Sequence, residues 1–299
     1  MAPIQVRPRR SRAAAWLPYL LLLPTLFFVA LFTLWPTVLV VHDSLFRSDS
    51  STPVPVFTGL GNYAALAADP AFRQVLINTI IYVAVTVPAS VVLALLLALA
   101  LNRRFRGLGL LRLAFFYPAI LPMVSAATVW LFMYTPDYGL LNVILGIVHI
   151  PSQNFLGTPG LALGALMILG IWKQTGYFMI FFLAGLQGLS RDVFEAADLD
   201  GATRFQTLRY LTLPLLRGTT LFVTTIAVVN AFETVDQLYI MTGGGPNNST
   251  GMLLFDLWQT LFSFFDLGKA SAISVILIAV LLLFTVGNFI YMERRTTYE

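Results

Sequence analysis

Six long apolar segments constrain this chain more than any other feature of its sequence. A helix of about 20 apolar residues crosses a hydrocarbon core of about 30 Å, and lipid offers no water to unpaired backbone groups, so helices are the expected spanning element. The segments lie at 16–41, 76–101, 108–133, 161–186, 211–232 and 267–291. The sequence therefore predicts an all-α, polytopic membrane protein with six transmembrane helices.

The composition excludes several function classes. Of the 299 residues, 58% are hydrophobic and 11% are charged, against about 45–50% and about 25% in soluble domains. The chain has no cysteine and two distant histidines, His42 and His149, so we expect neither a thiol nucleophile nor a metal site. The sequence G-x-x-x-x-G-K-[ST], which cradles nucleotide phosphates, does not occur. We therefore expect no catalytic residues and no bound cofactor in this chain.

Arginine placement predicts the orientation, because basic loops near span ends stay in the cytoplasm. Arginines cluster before the first span, between the second and third, between the fourth and fifth, and after the sixth, namely Arg7, Arg9, Arg10, Arg12, Arg103, Arg104, Arg106, Arg191, Arg204, Arg209, Arg217, Arg294 and Arg295. This predicts cytoplasmic tails at 1–15 and 292–299 and an external loop at 42–74. The first span is too long for a cleaved signal. The net charge of +4 thus reflects topology, and no nucleic-acid partner is expected.

The stretch EAADLDGATRFQTLRYLTLP is unusually polar for this chain. Ser190 is a good N-cap and Gly201 should end the helix that follows it. A second helix is expected over 203–210, with Pro214 in the first turn of span five. The region 190–210 is then a helix, a turn and a helix on the cytoplasmic face. Alternatively, it is a solvated loop decorated by the i,i+4 pairs Arg191 with Glu195 and Asp200 with Arg204.

This stretch resembles the EAA motif of ATP-binding-cassette importer permeases. In that motif, EAA is followed by three residues, a glycine, nine residues, an isoleucine, any one residue and then LP. Leu211 replaces the isoleucine. The resemblance implies that 190–210 are coupling helices, which sit in a groove of a separate ATPase that binds ATP and Mg. It assigns coupling to Glu195, Ala196, Ala197, Asp200, Gly201, Ala202, Leu213 and Pro214, and Glu195 would face a basic group of the ATPase.

Four further stretches, NYAAL at 62–66, YPAILP at 117–122, GLLN at 139–142 and MTGGGPNNST at 241–250, are similar to the permeases of carbohydrate importers of the maltose and glycerol-3-phosphate type. This resemblance implies the type I importer permease fold over 75–291, with an external loop containing Gly243, Gly244, Gly245 and Pro246. It also implies a second permease subunit, two ATPase subunits, an extracytoplasmic solute-binding protein and a bacterial cytoplasmic membrane. Six spans distinguish the chain from the eight-span maltose subunit.

Polar residues inside spans are costly and are therefore candidates for substrate contact. Span four carries Trp172, Lys173, Gln174 and Tyr177, and the end of span five carries Asn230, Glu233, Asp236 and Gln237. By rough alignment, both groups lie near the sugar site of the maltose subunit. Alternatively, Lys173 pairs with Glu233 across the bundle and Trp172 serves packing.

Two other classes compete with an importer permease. An ion-coupled secondary transporter could use Lys173, Glu233 and Asp236 as coupling groups, although no repeat of broken segments is evident. A receptor or structural membrane protein would need no coupling helix. Within the favoured class, the solute is a neutral saccharide or, alternatively, glycerol-3-phosphate or one of its diesters; Lys173 favours an anion, whereas Glu233 and Asp236 oppose one.

Overall fold

The computed structural model describes residues 12–103 and 106–293, which form a helical bundle. Four helices are long and apolar enough to cross a membrane alone: Tyr19–Asp43, Pro70–Leu101, Pro159–Gln187 and Leu267–Ile290. The pairs Leu108–Ile120 with Met123–Met133 and Arg204–Leu215 with Arg217–Phe232 are bent by 99° and 67°. Counting each bent pair as one span gives six in the described chain, in agreement with the predicted all-α architecture.

The helices follow one another with few strands between them. In chain order they are α1 Arg12–Val29, α2 Trp35–Asp43, α3 Gly61–Ala68, α4 Pro70–Leu101, α5 Leu108–Ile120, α6 Met123–Met133, α7 Leu140–Ile147, α8 Pro159–Gln187, α9 Arg191–Leu199, α10 Arg204–Thr207, α11 Leu213–Leu215, α12 Arg217–Phe232, α13 Asp236–Met241, α14 Leu253–Phe262 and α15 Leu267–Glu293. Two π-helical turns, Ala30–Leu34 and Leu208–Thr212, continue α1 into α2 and α10 into α11. Of the predicted cytoplasmic arginines, Arg7, Arg9, Arg10, Arg104, Arg294 and Arg295 lie outside the described residues.

The predicted external loop at 42–74 contains a β-hairpin that the sequence analysis missed. Strands β1 (Phe46–Asp49) and β2 (Thr52–Phe57) pair antiparallel, with Phe46 opposite Phe57. The Asn62 amide at the start of α3 donates to the carbonyls of Ser44 and Phe46 at 2.8 and 2.9 Å. A side chain at Gly268 would overlap the Phe46 carbonyl oxygen. The hairpin is thus held between α3 and the start of α15.

The core is built where α4, α8 and α12 pack together. Phe178 and Phe182 of α8 are fully buried there, and small residues such as Ala94, Ala165 and Ala227 line the contacts between helices. Small residues let helix backbones approach closely, which is how membrane helices pack without a hydrophobic driving force. The first span contributes nothing to this core, because none of its apolar window is buried in the described chain.

The third predicted span, 108–133, is broken rather than straight. Leu121, at the end of α5, is extended (φ −64°, ψ 135°), and Pro122 is the N-cap of α6. A residue before proline is disfavoured in the helical region because the proline ring clashes with it. The YPAILP stretch therefore makes a 99° bend and leaves the last carbonyls of α5 without helical partners.

The fifth predicted span, 211–232, begins later than expected. Helix α12 starts at Arg217, after a bend of 67°. Pro214 consequently lies in α11, before the bend, and not in the first turn of span five. Leu216 sits at the bend with ψ 6° and is 1% exposed. This side chain packs against Gly185 of span four.

Candidate functional site

The hinge segment, residues 190–210, has the helix-turn-helix geometry predicted from its sequence. Helix α9 ends in a Schellman motif: the Ala202 N–H donates to the Ala197 carbonyl at 3.0 Å and the Gly201 N–H donates to the Asp198 carbonyl at 3.1 Å. Gly201 adopts φ +77°, a conformation that glycine takes without steric cost. Ser190 is the N-cap but makes no capping hydrogen bond through its side chain.

The second helix of the hinge segment begins with a capping box that the sequence analysis missed. The Gln206 N–H donates to Thr203 Oγ1 at 3.3 Å, and the Thr203 N–H donates to Gln206 Oε1 at 2.7 Å. This reciprocal arrangement satisfies two backbone donors at the helix start. From there the chain remains helical to Leu215, beyond the predicted end at 210. A continuous helical stretch, part of it a π-helical turn, therefore joins the turn at Gly201 to the bend at Leu216.

The hinge segment presents apolar side chains to its surroundings at the turn. Leu199 is 89% exposed and Phe205 is 69% exposed, on either side of Gly201. Ala197 is buried on the inner side, whereas Glu195, Ala196 and Asp200 are exposed. Single exposed apolar residues are common on protein surfaces. Here, however, two large ones lie on either side of one turn.

The charged side chains of the hinge segment do not form the two i,i+4 ion pairs that the sequence suggested as an alternative. Neither Arg191 with Glu195 nor Asp200 with Arg204 forms an ion pair, and the ion pairs found in the described chain lie elsewhere. Glu195 instead lines a cleft with Arg103, Arg112 and Arg191, without direct contact between charges.

The bend at Leu216 connects the hinge segment to the bundle. A Cβ at Gly185 of α8 would lie 2.6 Å from Thr219 Oγ1 and 3.0 Å from Leu216 Cδ2. The absence of a side chain at Gly185 thus lets Leu216, at the bend, pack directly against span four. A displacement of α10 and α11 therefore acts on α8 and α12 together.

A cavity of about 220 Å³ lies between α4, α8, α12 and the start of α13. Among the residues predicted for substrate contact, it is lined by Gln174, Asn230, Glu233, Asp236 and Gln237. Asn230 Nδ2 donates to Gln174 Oε1 at 3.4 Å, which links α12 to α8. Glu233, which follows the last residue of α12, and Asp236, the first residue of α13, are exposed, whereas Gln237 is completely buried. The structure thus gathers five of the eight predicted residues in one place.

The cavity has a third wall that the sequence analysis missed. Tyr82, Thr86 and Ser90 follow one another at intervals of four residues along α4 and all line the cavity. Polar residues at i, i+4 and i+8 share one helix face, and that spacing inside an apolar span was the available signal. Gln237 Nε2 donates to the Tyr82 hydroxyl at 2.7 Å. Gly170 gives this phenol its room, since a Cβ there would lie 2.3 Å from the Tyr82 oxygen.

The other three predicted substrate residues lie outside this cavity. Lys173 Nζ donates to the carbonyl of Pro118 at 3.1 Å and to that of Leu121, so it caps the broken end of α5 and does not pair with Glu233. Trp172 packs edge-on against Trp130, 5.6 Å between ring centroids. Tyr177 packs against Phe178 and Phe181. A substrate role for these three stays a prediction, and none of their contacts in the described chain supports it.

The loop at 241–250, which was predicted to be external, has the tight backbone predicted from its glycines. Gly243, Gly244, Asn247 and Asn248 all have positive φ values, and a cis bond joins Gly245 to Pro246. Thr250 is fully buried, and its hydroxyl donates to the Gly245 carbonyl at 2.7 Å. Asn78 of α4 donates to the carbonyls of Asn248 and Gly251 at 2.9 and 3.0 Å. These hydrogen bonds fasten the loop to α4.

Known proteins resemble this chain over nearly its whole length. Residues 57–294 match the family described as binding-protein-dependent transport system inner membrane component. The trehalose/maltose transport system permease protein of Thermococcus litoralis is 35% identical over 91% of this chain and 92% of its own length. The sn-glycerol-3-phosphate transport system permease protein of Agrobacterium fabrum is 34% identical over 94% and 96%.

A solved structure shares the fold. A bacterial transporter described as involved in the import of the acidic polysaccharide alginate superposes with a TM-score of 0.81. The match covers 95% of this chain and 97% of that one at 21% identity.

Proposed function

Because this chain belongs to the family of binding-protein-dependent transport system inner membrane components, we propose that it is the permease subunit through which an ATP-binding-cassette importer moves a sugar or sugar-like solute inward. One observation carries the mechanism. The exposed apolar turn at Gly201 is joined by a continuous helical stretch to Leu216, and from there to α12, whose far end lines the cavity. Movement of the turn therefore reaches the cavity through contiguous packed elements.

The partners follow from that mechanism. Leu199 and Phe205 are suited to insertion into a separate ATPase, which binds ATP and Mg and rotates the hinge segment as a rigid body. An extracytoplasmic binding protein would deliver the solute to the outer surface that includes Gly243, Gly244, Gly245 and Pro246. A second permease subunit would close the cavity, and a second ATPase would serve it. The unburied first span supplies surface for such contacts.

The proposed setting is a bacterial cytoplasmic membrane with both termini in the cytoplasm. The described arginines between the second and third spans and around the hinge segment support this orientation, because basic loops remain inside. Lys173, which an ion-coupled mechanism would need as a mobile charge, is engaged with backbone carbonyls instead. That contact weakens the secondary-transporter alternative.

Uptake into proteoliposomes tests the proposal. The assembled complex, with its binding protein outside, should accumulate solute only when ATP is enclosed, and a proton ionophore should leave the rate unchanged. Uptake that persists without ATP and stops when the ionophore is added would refute it. Empty liposomes and the complex with a non-hydrolysable ATP analogue are the controls.

A further inference from the structure

The charged side chains that line the cavity in the described chain are all acidic. Glu233 and Asp236 line it, and no lysine or arginine of residues 12–103 and 106–293 does. Lys173 belongs to a neighbouring turn of α8, but its ammonium group is directed to the Pro118 and Leu121 carbonyls at the α5 break. The cavity therefore has a formal charge of −2 from this chain. Both carboxylates are exposed in the isolated chain, and an anionic group of a solute that comes close to them is repelled.

Several neutral groups of the cavity offer hydrogen-bond acceptors. Gln237 is completely buried and its Oε1 has no hydrogen-bond partner, although its Nε2 is used by Tyr82. The Thr86 hydroxyl donates to the Tyr82 carbonyl at 2.6 Å, and the Ser90 hydroxyl donates to the Thr86 carbonyl at 2.7 Å. The protons of both hydroxyls are thus spent on their own helix, so what they offer a ligand is oxygen lone pairs.

Gln237 is the clearest sign of a ligand. A buried amide oxygen without a partner costs free energy and calls for a donor that the protein itself does not supply. A hydroxyl group supplies one, whereas a phosphate or carboxylate group brings further acceptors and a negative charge.

We infer that the solute accepted by this cavity is an uncharged polyhydroxylated compound, a neutral saccharide or polyol, and that Glu233 and Asp236 exclude phosphorylated and carboxylated solutes. The inference rests on the proposed import function and narrows its solute class. Hydroxyl groups donate to the carboxylates and to Gln237 Oε1, and the Gln174 and Asn230 amides return hydrogen bonds to hydroxyl oxygens.

The absence of cysteine from the sequence permits a direct test of the cavity charge. Asn230→Cys places a thiol in the cavity, and Thr158→Cys places one at an exposed position remote from it. In the assembled complex, with label detected on this chain, thiol-specific reagents of matched size and opposite charge are compared. The ratio of cationic to anionic reaction rates should be at least about tenfold higher at the cavity position.

Removal of the two carboxylate charges tests whether they cause the higher ratio of cationic to anionic reaction rates. Glu233→Gln combined with Asp236→Asn should bring the ratio at the cavity thiol to that of the control thiol. Asp137→Asn, at an exposed position outside the cavity, should leave the ratio unchanged. An anionic reagent that reacts as fast as the cationic one at the cavity thiol would overturn the inference.

Uptake measurements separate this inference from the proposed function. ATP-driven uptake is measured with maltose, trehalose and glycerol as neutral probes, glycerol-3-phosphate and a uronic acid disaccharide as anionic probes, and glucosamine as a cationic probe. Saturable uptake confined to neutral probes supports the inference. ATP-driven uptake of an anionic or cationic probe overturns it while leaving the importer intact. If uptake proves independent of ATP, the proposed function fails, and the inference, which rests on it, fails as well.

Discussion

Substitution of Gly201 by alanine tests the role of the hinge segment, because the free-energy cost of this substitution arises from the backbone conformation alone. A Cβ at this position meets no atom within 4 Å, yet φ is +77°. The left-handed conformation costs an ordinary L-residue about 1–2 kcal/mol and costs asparagine less. Because about 1.4 kcal/mol is a factor of ten in an equilibrium constant, Gly201→Ala should lower the equilibrium constant for the observed turn conformation about tenfold.

Gly201→Asp should be more damaging than Gly201→Ala. It adds a negative charge beside Asp198 and Asp200 at a helix C-terminus, where the helix dipole disfavours anions by about 0.3–1 kcal/mol. We expect ATP-driven uptake per inserted complex to fall in the order wild type, Gly201→Asn, Gly201→Ala, Gly201→Asp, with the last almost inactive. Membrane insertion should be normal throughout, because the position lies outside the packed core.

The assay is uptake into proteoliposomes, normalised to the amount of complex in the membrane. Gly218→Ala is the matched control: it also meets no atom within 4 Å but has no positive φ, so uptake should be unchanged. Wild-type uptake by Gly201→Asp would refute the coupling role. Equal effects of Gly201→Asn and Gly201→Ala would refute the conformational explanation.

Three other positions give separate predictions. Lys173→Met removes the cap from the broken end of α5, so the melting temperature of the purified complex should fall without a change in the solutes it accepts; an altered solute preference would contradict this. Leu216→Ala truncates a side chain that is 1% exposed and should cost about 2–5 kcal/mol and uncouple ATP hydrolysis from uptake, whereas Leu215→Ala, at 48% exposure, should do neither. The Ala71 N–H holds the pKa of the Asp69 carboxyl below its usual range, with help from Lys269. A carboxylate whose pKa is lowered by folding stabilises the protein above its unfolded pKa. The stability lost in Asp69→Asn should therefore be constant from pH 7 to about pH 4 and should shrink as pH falls further, through the folded-state pKa. A loss that grows on acidification below about pH 4 would contradict this reasoning.

The spans and the hinge segment were predictable because local chemistry determines them. Long apolar runs must be helical in lipid, and the turn at Gly201 follows from one glycine placed where a helix must end. The bends were harder to predict. Pro122 gave a local signal for the first, but the second depends on burial of Leu216 against Gly185, a contact between distant parts of the chain.

Three of the eight residues predicted for substrate contact lie outside the cavity because of contacts that sequence spacing does not reveal. Lys173 and Gln174 are neighbours, yet one faces the α5 break and the other faces the cavity. Both residues were candidates for substrate contact because of their residue type alone. Tyr82, Thr86 and Ser90 were overlooked because hydroxyl residues are common in membrane helices, where they bond to their own backbone, as Thr86 and Ser90 do here.

Three asparagines, two of them in the motifs that carried the carbohydrate-importer resemblance, hold irregular segments of the chain in place. Asn62 holds the hairpin, Asn78 holds the loop at 241–250, and Asn142 bonds to the Thr135 and Gln153 carbonyls at 3.2 and 3.0 Å. Each is an amide that replaces missing backbone partners in an irregular segment. These residues position the outer surface.

Accessibility of the hinge segment in the assembled complex tests the central claim most directly. With Leu199→Cys in this cysteine-free chain, the rate of reaction with a membrane-impermeant thiol reagent is measured on the cytoplasmic side, with and without the ATPase subunits. The account predicts that assembly slows labelling of this side chain, which is 89% exposed in the isolated chain, by at least about tenfold. Equal labelling rates in the two states would contradict it.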